Sequence, residues 1–565
     1  MIGHLFKWGN PRQDYILDEV SNYLGVSIHP SSPGAKDRIF LGSVDSKERK
    51  VRGGSALVLI LPVSNGALPE PIIEGYFSWK DLQIPYFGKA CADVDGEPFL
   101  SDVNGNPLIT IKQQNDRTTS TIGFDILNPI YFFLCGLEEL DAVTYDEFGR
   151  FPHSSSTLFK ENLMHTPVVT AYMDILGELF KRVHRMIGKT FYRVWPWPNG
   201  YDFALGLSHD TDEIERFTLK KCAYSLLKRE IPQTLESFKG TFKQLEKNDY
   251  WTFSKIMKME KKYNVRSTFF FSGLTDDERS SRPMKERMGK ELAYTVSDPS
   301  IKKLYREIAG MGWEVGLHSS FTSNNAPSTL KKEKDIISGI IEKDVGGVRQ
   351  HFLRFKLRDF FLALEEAGFR YDSSVGYSSH SGFRAGSCYP YLFFDDRSRK
   401  RGNIMEIPLA IMEVTLSEKK SVSPSRISNA ALGIIDIIKR FNGGSAILWH
   451  NNRYFDKEYS GWGKAYEMVL KKAVVDNGYL ASLEDIRNWV EVRKNVVIKE
   501  AGSVLKVKTT MPVSGLTIEI CPDTDNIDEY EPTAPGIHVS KRKKDSLLLT
   551  IVEIRGKGAV SIPLP

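Results

Sequence analysis

In FALGLSHDTDE, two carboxylates two residues apart follow an apolar run. Strand alternation turns Asp210 and Asp212 to one side, where one carboxylate can ligate a metal ion and the other can take a proton from bound water. An Asx-rich turn with no chemistry is the plain alternative. WEVGLHSSFTS places His318 after Val315 and Leu317 at the mouth of a Ser/Thr-rich loop, and VRQHFLRF sets Arg349, His351 and Arg354 among apolar neighbours. Asp212, His318 and His351 make one carboxylate and two imidazoles, a donor set suited to a borderline divalent ion with positions left for water and substrate. Taken alone, His318 also reads as a hydrogen-bonded structural histidine.

Further along, YDSSVGY adds Asp372, GFRAGSCYP adds Arg384, IMEIPLA adds Glu406, and SAILWHNN delivers His450 behind Ile447, Leu448 and Trp449. A buried arginine needs a carboxylate, which makes Asp372 and Glu406 candidate neutralising partners for the arginines. His450 can hand a proton to a departing nitrogen in a hydrolysis. Trp449 and Trp462 are candidate stacking faces for a ligand ring, or packing residues.

An alternation of apolar strands and amphipathic helices must position these groups. From about Phe203 the strands are FALGLS, VRSTFFFSG, WEVGLHS, VRQHFLRF, FRYDSSVG, IMEIPLA and SAILWH, with helical stretches such as FSKIMKMEKKY, SIKKLYREIAGM and LRDFFLALEEAG between them. Repeated β-then-α units predict an α/β fold of parallel strands closed into a barrel, with reactive groups at the C-terminal strand ends. VWPWPNGYD breaks helix periodicity before it, and VLKVKTT, LTIEIC, LLLTIVEI and AVSIPL follow it. Three units are therefore expected: an N-terminal α+β accessory domain over 1–195, the barrel over 196–495, and a small C-terminal β-sandwich over 496–565.

Composition sets the broad class. In 565 residues, 76 Lys+Arg against 71 Asp+Glu give +5, with 26% charged and 41% hydrophobic residues. That excludes a disordered, collagenous or strongly polyanion-seeking chain. The basic run KRKK at 541–544 lacks aromatic platforms and reads as a solvated turn, so no nucleic-acid partner is expected. The five cysteines show no C-x-x-C spacing, the opening MIGHLFKWGNPRQDYILDEV has no continuous apolar core, and no run approaches 18 apolar residues. Cytoplasmic location and no integral membrane segment are expected. RMIGKT resembles the end of a phosphate loop, but Val183 stands where the leading glycine is required. DVDGEP and DVNGNP lack EF-hand spacing and read as turns.

Over about residues 201–495, the order of these motifs resembles the polysaccharide deacetylases, the NodB-homology or carbohydrate esterase family 4 group. The resemblance implies a distorted (β/α) barrel, a divalent metal, commonly zinc, and removal of acetyl groups. HDTDE is similar to the first motif, which makes Asp210 the general base and Asp212 a ligand. GLHSS matches the second motif at His318, VRQHF takes the place of the arginine motif and makes Arg349 the partner of the base, and ILWH makes His450 the acid. Two departures stand out. Thr322 occupies the place of a second metal histidine, and Gln350 and His351 replace the prolines of the arginine motif. His351 is taken as the compensating third ligand, with Thr322 or water as the alternative. Residues 124–156 resemble the N-terminal domain of a divergent branch, where Glu138, Glu139 and Arg150 are structural or make interdomain or substrate contacts.

The expected function is metal-dependent hydrolysis of an acetamido group on a sugar or glycan intermediate, a carbon–nitrogen bond that is not a peptide. Nucleotide-linked or lipid-linked sugars are the expected substrates, and Arg354, Asp372, Arg384, Glu406, Trp449 and Thr322 are candidates for substrate or supporting contacts. Hydrolysis of another small amide or imide is one alternative. A catalytically inactive carbohydrate-binding or assembly protein is the other. Oligomeric state is not legible in the sequence.

Overall fold

Phe203–Asp210 (β1) is buried at every position, as a parallel strand covered on both faces must be. In this computed structural model, which describes residues 2–4, 10–30, 39–43, 56–60, 71–89, 94–115, 117–140, 142–216, 247–282, 290–522, 535–543, 546–554 and 558–564, β1 is the centre of a ten-stranded sheet. Thr268–Phe271 (β2), Glu314–Ser319 (β3), Gly347–Gln350 (β4) and Tyr371–Asp372 (β5) lie beside it in that order, all parallel. Tyr391–Asp395 (β6) runs antiparallel along Lys400–Glu406 (β7), and β7 is parallel to β5. Leu409–Met412 (β8) pairs with Gly444–Leu448 (β9), and β9 returns to β1. Gly478–Ala481 (β10) pairs with the first half of β1.

The sheet curls into a barrel because β7 and β8 are one run of chain. Between them, the Ile407 N–H donates to the Asp372 carbonyl on one side, while the Ala446 N–H donates to the Pro408 carbonyl on the other. Proline at 408 gives up no needed donor, since only its carbonyl is used. The helices that cover the barrel follow from spacing. In Pro299–Gly310 the buried residues are Ile301, Leu304, Tyr305 and Ile308, one face of a 3.6-residue period. Its start is set by Pro299 and by the Asp298 side chain, which accepts from the Ser300 N–H at 2.7 Å.

The flanking units are rich in β-structure. Before the barrel lie a seven-stranded mixed sheet and a three-stranded sheet, packed with the helices Pro11–Leu24 and Val168–Met186. After it, Val496–Ala501, Val504–Thr509 and Gly558–Pro563 form one antiparallel sheet. Val513–Cys521, Ser546–Ile554 and Ile537–Lys543 form another, and its fourth strand is Phe191–Val194, which pairs along Val513–Cys521. The chain thus enters the barrel through a strand of the C-terminal sheet. Lys541 to Lys543 of the KRKK run lie in a strand rather than a turn, and Lys541 Nζ is 2.7 Å from Asp202 Oδ1; Lys544 lies outside the described residues. Asp93 of DVDGEP is outside them too, as are Cys91 and Cys222. Among the described residues, no helix is long and apolar enough to cross a membrane.

Candidate metal centre

Alternation along β1 sorts its polar end. Ser208 and Asp210 face Arg349 inside the barrel, while His209 points the other way, with Nε2 2.9 Å from Glu260 Oε1. Glu260 is buried and also accepts from Ser267, Trp313 and Tyr466, so it closes a polar network beneath the helix layer. Arg349 on β4 is fully buried. It donates to Asp210 at 3.4 and 3.5 Å, to Ser208 Oγ at 3.3 Å and to Ser373 Oγ at 3.1 Å, and lies over the Phe270 ring.

Asp212 stands two residues past β1 and His318 near the end of β3, with His318 Nε2 2.9 Å from Asp212 Oδ1. His351 is the first residue past β4, and its Nε2 is 3.7 Å from the same oxygen. The donor atoms of Asp212, His318 and His351 all lie within 4.8 Å of one another. Two donors on one tetrahedral zinc, with bonds of about 2.0–2.1 Å, sit roughly 3.3 Å apart, a value the 2.9 and 3.7 Å separations bracket. Tautomer supplies an independent test of fit. His318 Nδ1 is 2.9 Å from the Arg349 carbonyl, an acceptor only, so this nitrogen carries a proton; Nε2 donates to Asp212 while the ring is protonated, a form that burial opposes but Asp210 and Asp212 favour, and offers a lone pair once that proton leaves. In the deprotonated ring the two groups are facing acceptors that suit a cation between them, and one carboxylate with two imidazoles fits a borderline divalent ion.

On the other side of Asp212 stands His450. Its Nε2 is 3.5 Å from Asp212 Oδ2 and its Nδ1 is 2.8 Å from Glu413 Oε1. Glu413 is the first residue past β8, fully buried, and also accepts from Arg453 Nε at 3.2 Å. Burial disfavours a charged His450, but Glu413 and then Asp212 outweigh it and its pKa is pushed up to about 9. His351 goes the other way: burial, with His318 and His450 adding to it, outweighs Asp212 and brings its pKa down to about 3, the neutral form a ligand needs. Burial also opposes ionisation of Asp212, yet the hydrogen bond to His318 and the three neighbouring imidazoles hold its carboxyl well below the usual range.

Asp-x-Asp across the end of β1, His near the end of β3, Arg-x-His across the end of β4 and His past β9 therefore meet on one rim, in the order the motifs have in the chain. Solved structures similar to this chain include a putative polysaccharide deacetylase from Mycobacterium smegmatis, at 16% identity and a TM-score of 0.37, covering 53% of this chain and 93% of that one. PuuE allantoinase matches at 13% identity and 0.34, covering 52% and 92%. A CE4 family pseudoenzyme from Bacillus anthracis matches at 11% and 0.28, covering 50% and 65%. A family of unknown function, DUF7033, matches residues 66–185. No curated protein sequence matches the chain.

Several residues singled out in the sequence take other places in this barrel. Asp372 and Glu406 are buried side by side on β5 and β7, and burial raises both carboxyls, Glu406 the more because Asp372 faces it. They hydrogen-bond each other, and the Arg349 charge favours the ionised form of both; Arg349 itself donates to Asp210 and the two serines, and Arg384 pairs with Glu139 Oε1 at 2.7 Å. Arg354 donates to the carbonyls of Phe148 and Phe321, so it ties loops together. Trp449 and Trp462 are buried against each other, ring centroids 6.2 Å apart, and offer no face to a ligand. Thr322 is half-buried on the loop past β3, and it is His351 that joins Asp212 and His318. Sequence reasoning missed Glu413. Its signal was there in IMEVT, a carboxylate closing an apolar strand run.

Proposed function

We propose that the rim is the active site of a metal-dependent hydrolase that removes an acetyl group from the nitrogen of an amino sugar. The observation that carries this reading is the cluster Asp212, His318 and His351, flanked on one side by Asp210 with Arg349 and on the other by His450 with Glu413. Asp212, His318 and His351 would hold a divalent ion, zinc by the preference of that donor set, which would supply Lewis-acid polarisation of the acyl group. Asp210 takes the proton of the attacking water, and Arg349 orients it through the contacts at 3.4 and 3.5 Å. His450, held in its protonated form by Glu413, gives a proton to the nitrogen as the carbon–nitrogen bond breaks. Cytoplasmic location, and with it a nucleotide-linked or lipid-linked intermediate as substrate, is part of the proposal; it is supported by Cys135, Cys388 and Cys521, free and buried.

A second reading, hydrolysis of another small amide or imide, is favoured by the burial of Trp449 and Trp462, which leaves these two rings unavailable for stacking on a sugar. The test follows acetate release from short N-acetylated glycans and nucleotide sugars, and ammonia or acid release from small amides, with and without a chelator. Asp210→Asn is expected to keep the metal and lose roughly 100-fold or more in rate, since an amide cannot accept the water proton. Wild-type protein that carries its metal, binds a glycan and releases nothing would establish the inactive binding protein instead.

A further inference from the structure

His351 sits just past the last paired residue of β4, so strand pairing does not hold it. The two residues after it are left-handed: Phe352 at φ 61° and Leu353 at φ 51°. Side chains with a Cβ avoid this region, and bulky ones in succession adopt it only where the surroundings impose it. Those surroundings are a tight turn of the N-terminal unit. Arg150 Nη1 donates to the Phe352 carbonyl at 3.1 Å, and the Phe148 ring stacks on the Phe352 ring with centroids 5.2 Å apart and planes 15° apart. The turn is itself fixed. Asp146 accepts from the Phe148 and Arg150 N–H groups at 3.0 and 2.9 Å and pairs with Arg150 Nε at 2.7 Å. Arg354 donates from its backbone to the His351 carbonyl at 3.2 Å and from its side chain to the Phe148 carbonyl at 2.8 Å, locking the two turns together.

We propose that the turn Asp146–Arg150, within the segment matched by the family of unknown function, is a positioning element of the metal centre, and that Arg150 and Phe148 hold the His351–Leu353 turn in the strained conformation that presents the His351 imidazole to Asp212 and His318. The inference rests on the reading of those three residues as ligands, and gives the N-terminal unit a role in it. With no second histidine at Thr322, the third donor comes from an irregular turn, and an irregular turn needs support from outside its own strand. Residues that orient a ligand from behind typically change metal affinity by about 10–100-fold.

The experiment measures zinc affinity of the folded full-length protein by chelator competition, with the cobalt(II) absorption spectrum as a second readout of ligand geometry. Arg150→Ala and Phe148→Ala are expected to weaken zinc binding about tenfold or more and to alter the cobalt bands; Arg150→Lys replaces the alanine variant should that one lose its secondary structure. Phe352→Gly in the Arg150→Ala background is expected to recover most of the affinity, because glycine takes a positive φ without the steric cost. Glu139→Gln, which cuts the ion pair to Arg384 elsewhere between the two units, is expected to leave affinity within twofold of wild type. Arg150 and Phe148 variants that bind zinc like wild type would overturn the inference and leave the three ligands standing. Equal weakening by Glu139→Gln, or no recovery by Phe352→Gly, would overturn it too, since either means general loosening. A wild-type protein that binds no zinc would remove the metal reading and this inference together.

Discussion

At the scale of single residues, the site is a carboxylate shared among three imidazoles. His318 and His351 approach Asp212 Oδ1 while His450 approaches Oδ2, so one oxygen serves the ligand side and the other the proton-donor side. Substituting Asp212 or His318 by alanine is expected to remove most bound metal from folded protein, measured by metal analysis, because two donors are too few for strong coordination. His351→Ala is expected to weaken binding substantially and Thr322→Ala much less, since a neutral imidazole is the better donor to a borderline ion. Glu413→Gln tests the other half. Glutamine still accepts the His450 hydrogen bond but carries no charge to stabilise the imidazolium, so turnover is expected to fall roughly tenfold or more with metal content unchanged.

At the scale of the elements, the two ends of β3 do different work. His318 stands near its C-terminal end, on the rim, and Glu314 at its start, at the opposite end of the barrel. Glu314 accepts from the Tyr371 hydroxyl, from Thr268 Oγ1 and from the Glu484 N–H. Burial and the charge of Glu484 still outweigh those donors and push its pKa up to about 7. A carboxyl raised in the folded state binds more protons there than in the unfolded chain between its ordinary value, about 4.5, and 7, so its contribution is full below that window and lost as pH rises through 7. Thermal unfolding is therefore expected to show stability falling from pH 5 to pH 8, and Glu314→Gln to flatten that slope. An unchanged slope in the variant would place the titration elsewhere, for example on Glu333, whose carboxyl burial also pushes up to about 7.

At the scale of the whole molecule, the three units are sewn together rather than strung in line. Arg493, buried near the end of the last barrel helix, donates to the carbonyls of Tyr23, Val194 and Trp195 and to the Tyr389 hydroxyl, reaching back to the first helix of the chain. Phe191–Val194 completes the sheet of Val513–Cys521. A fragment of residues 196–495 alone would lose the Arg493 contacts to Tyr23, Val194 and Trp195 and expose to water the apolar surface that the flanking units cover. That fragment is expected to be insoluble or to unfold at least 10 °C below the full chain by circular dichroism. A fragment that melts with the full chain would show the barrel to be self-sufficient.

The sequence by itself determined the parallel strands, the amphipathic helices between them and the strand-end positions of Asp210, Asp212, His318, Arg349 and His450, because periodicity and strand ends are local properties of a chain. His351 was legible by chemistry, as an imidazole on a strand expected to end near the same rim as Thr322. What a residue's partner is depends on which strands become neighbours, and only the tertiary structure decides that. The joint at Ile407 and Pro408 brings β8 beside β9, and so sets Glu413 against His450. The same curl lays β5 beside β7 and sets Asp372 against Glu406, with Arg349 bonded to Asp210 and Arg384 to Glu139. Trp449 was open to two readings because a strand-end tryptophan can point either way; packing against Trp462 and Tyr466 turned it inward, where burying its large apolar surface is worth more than exposing it.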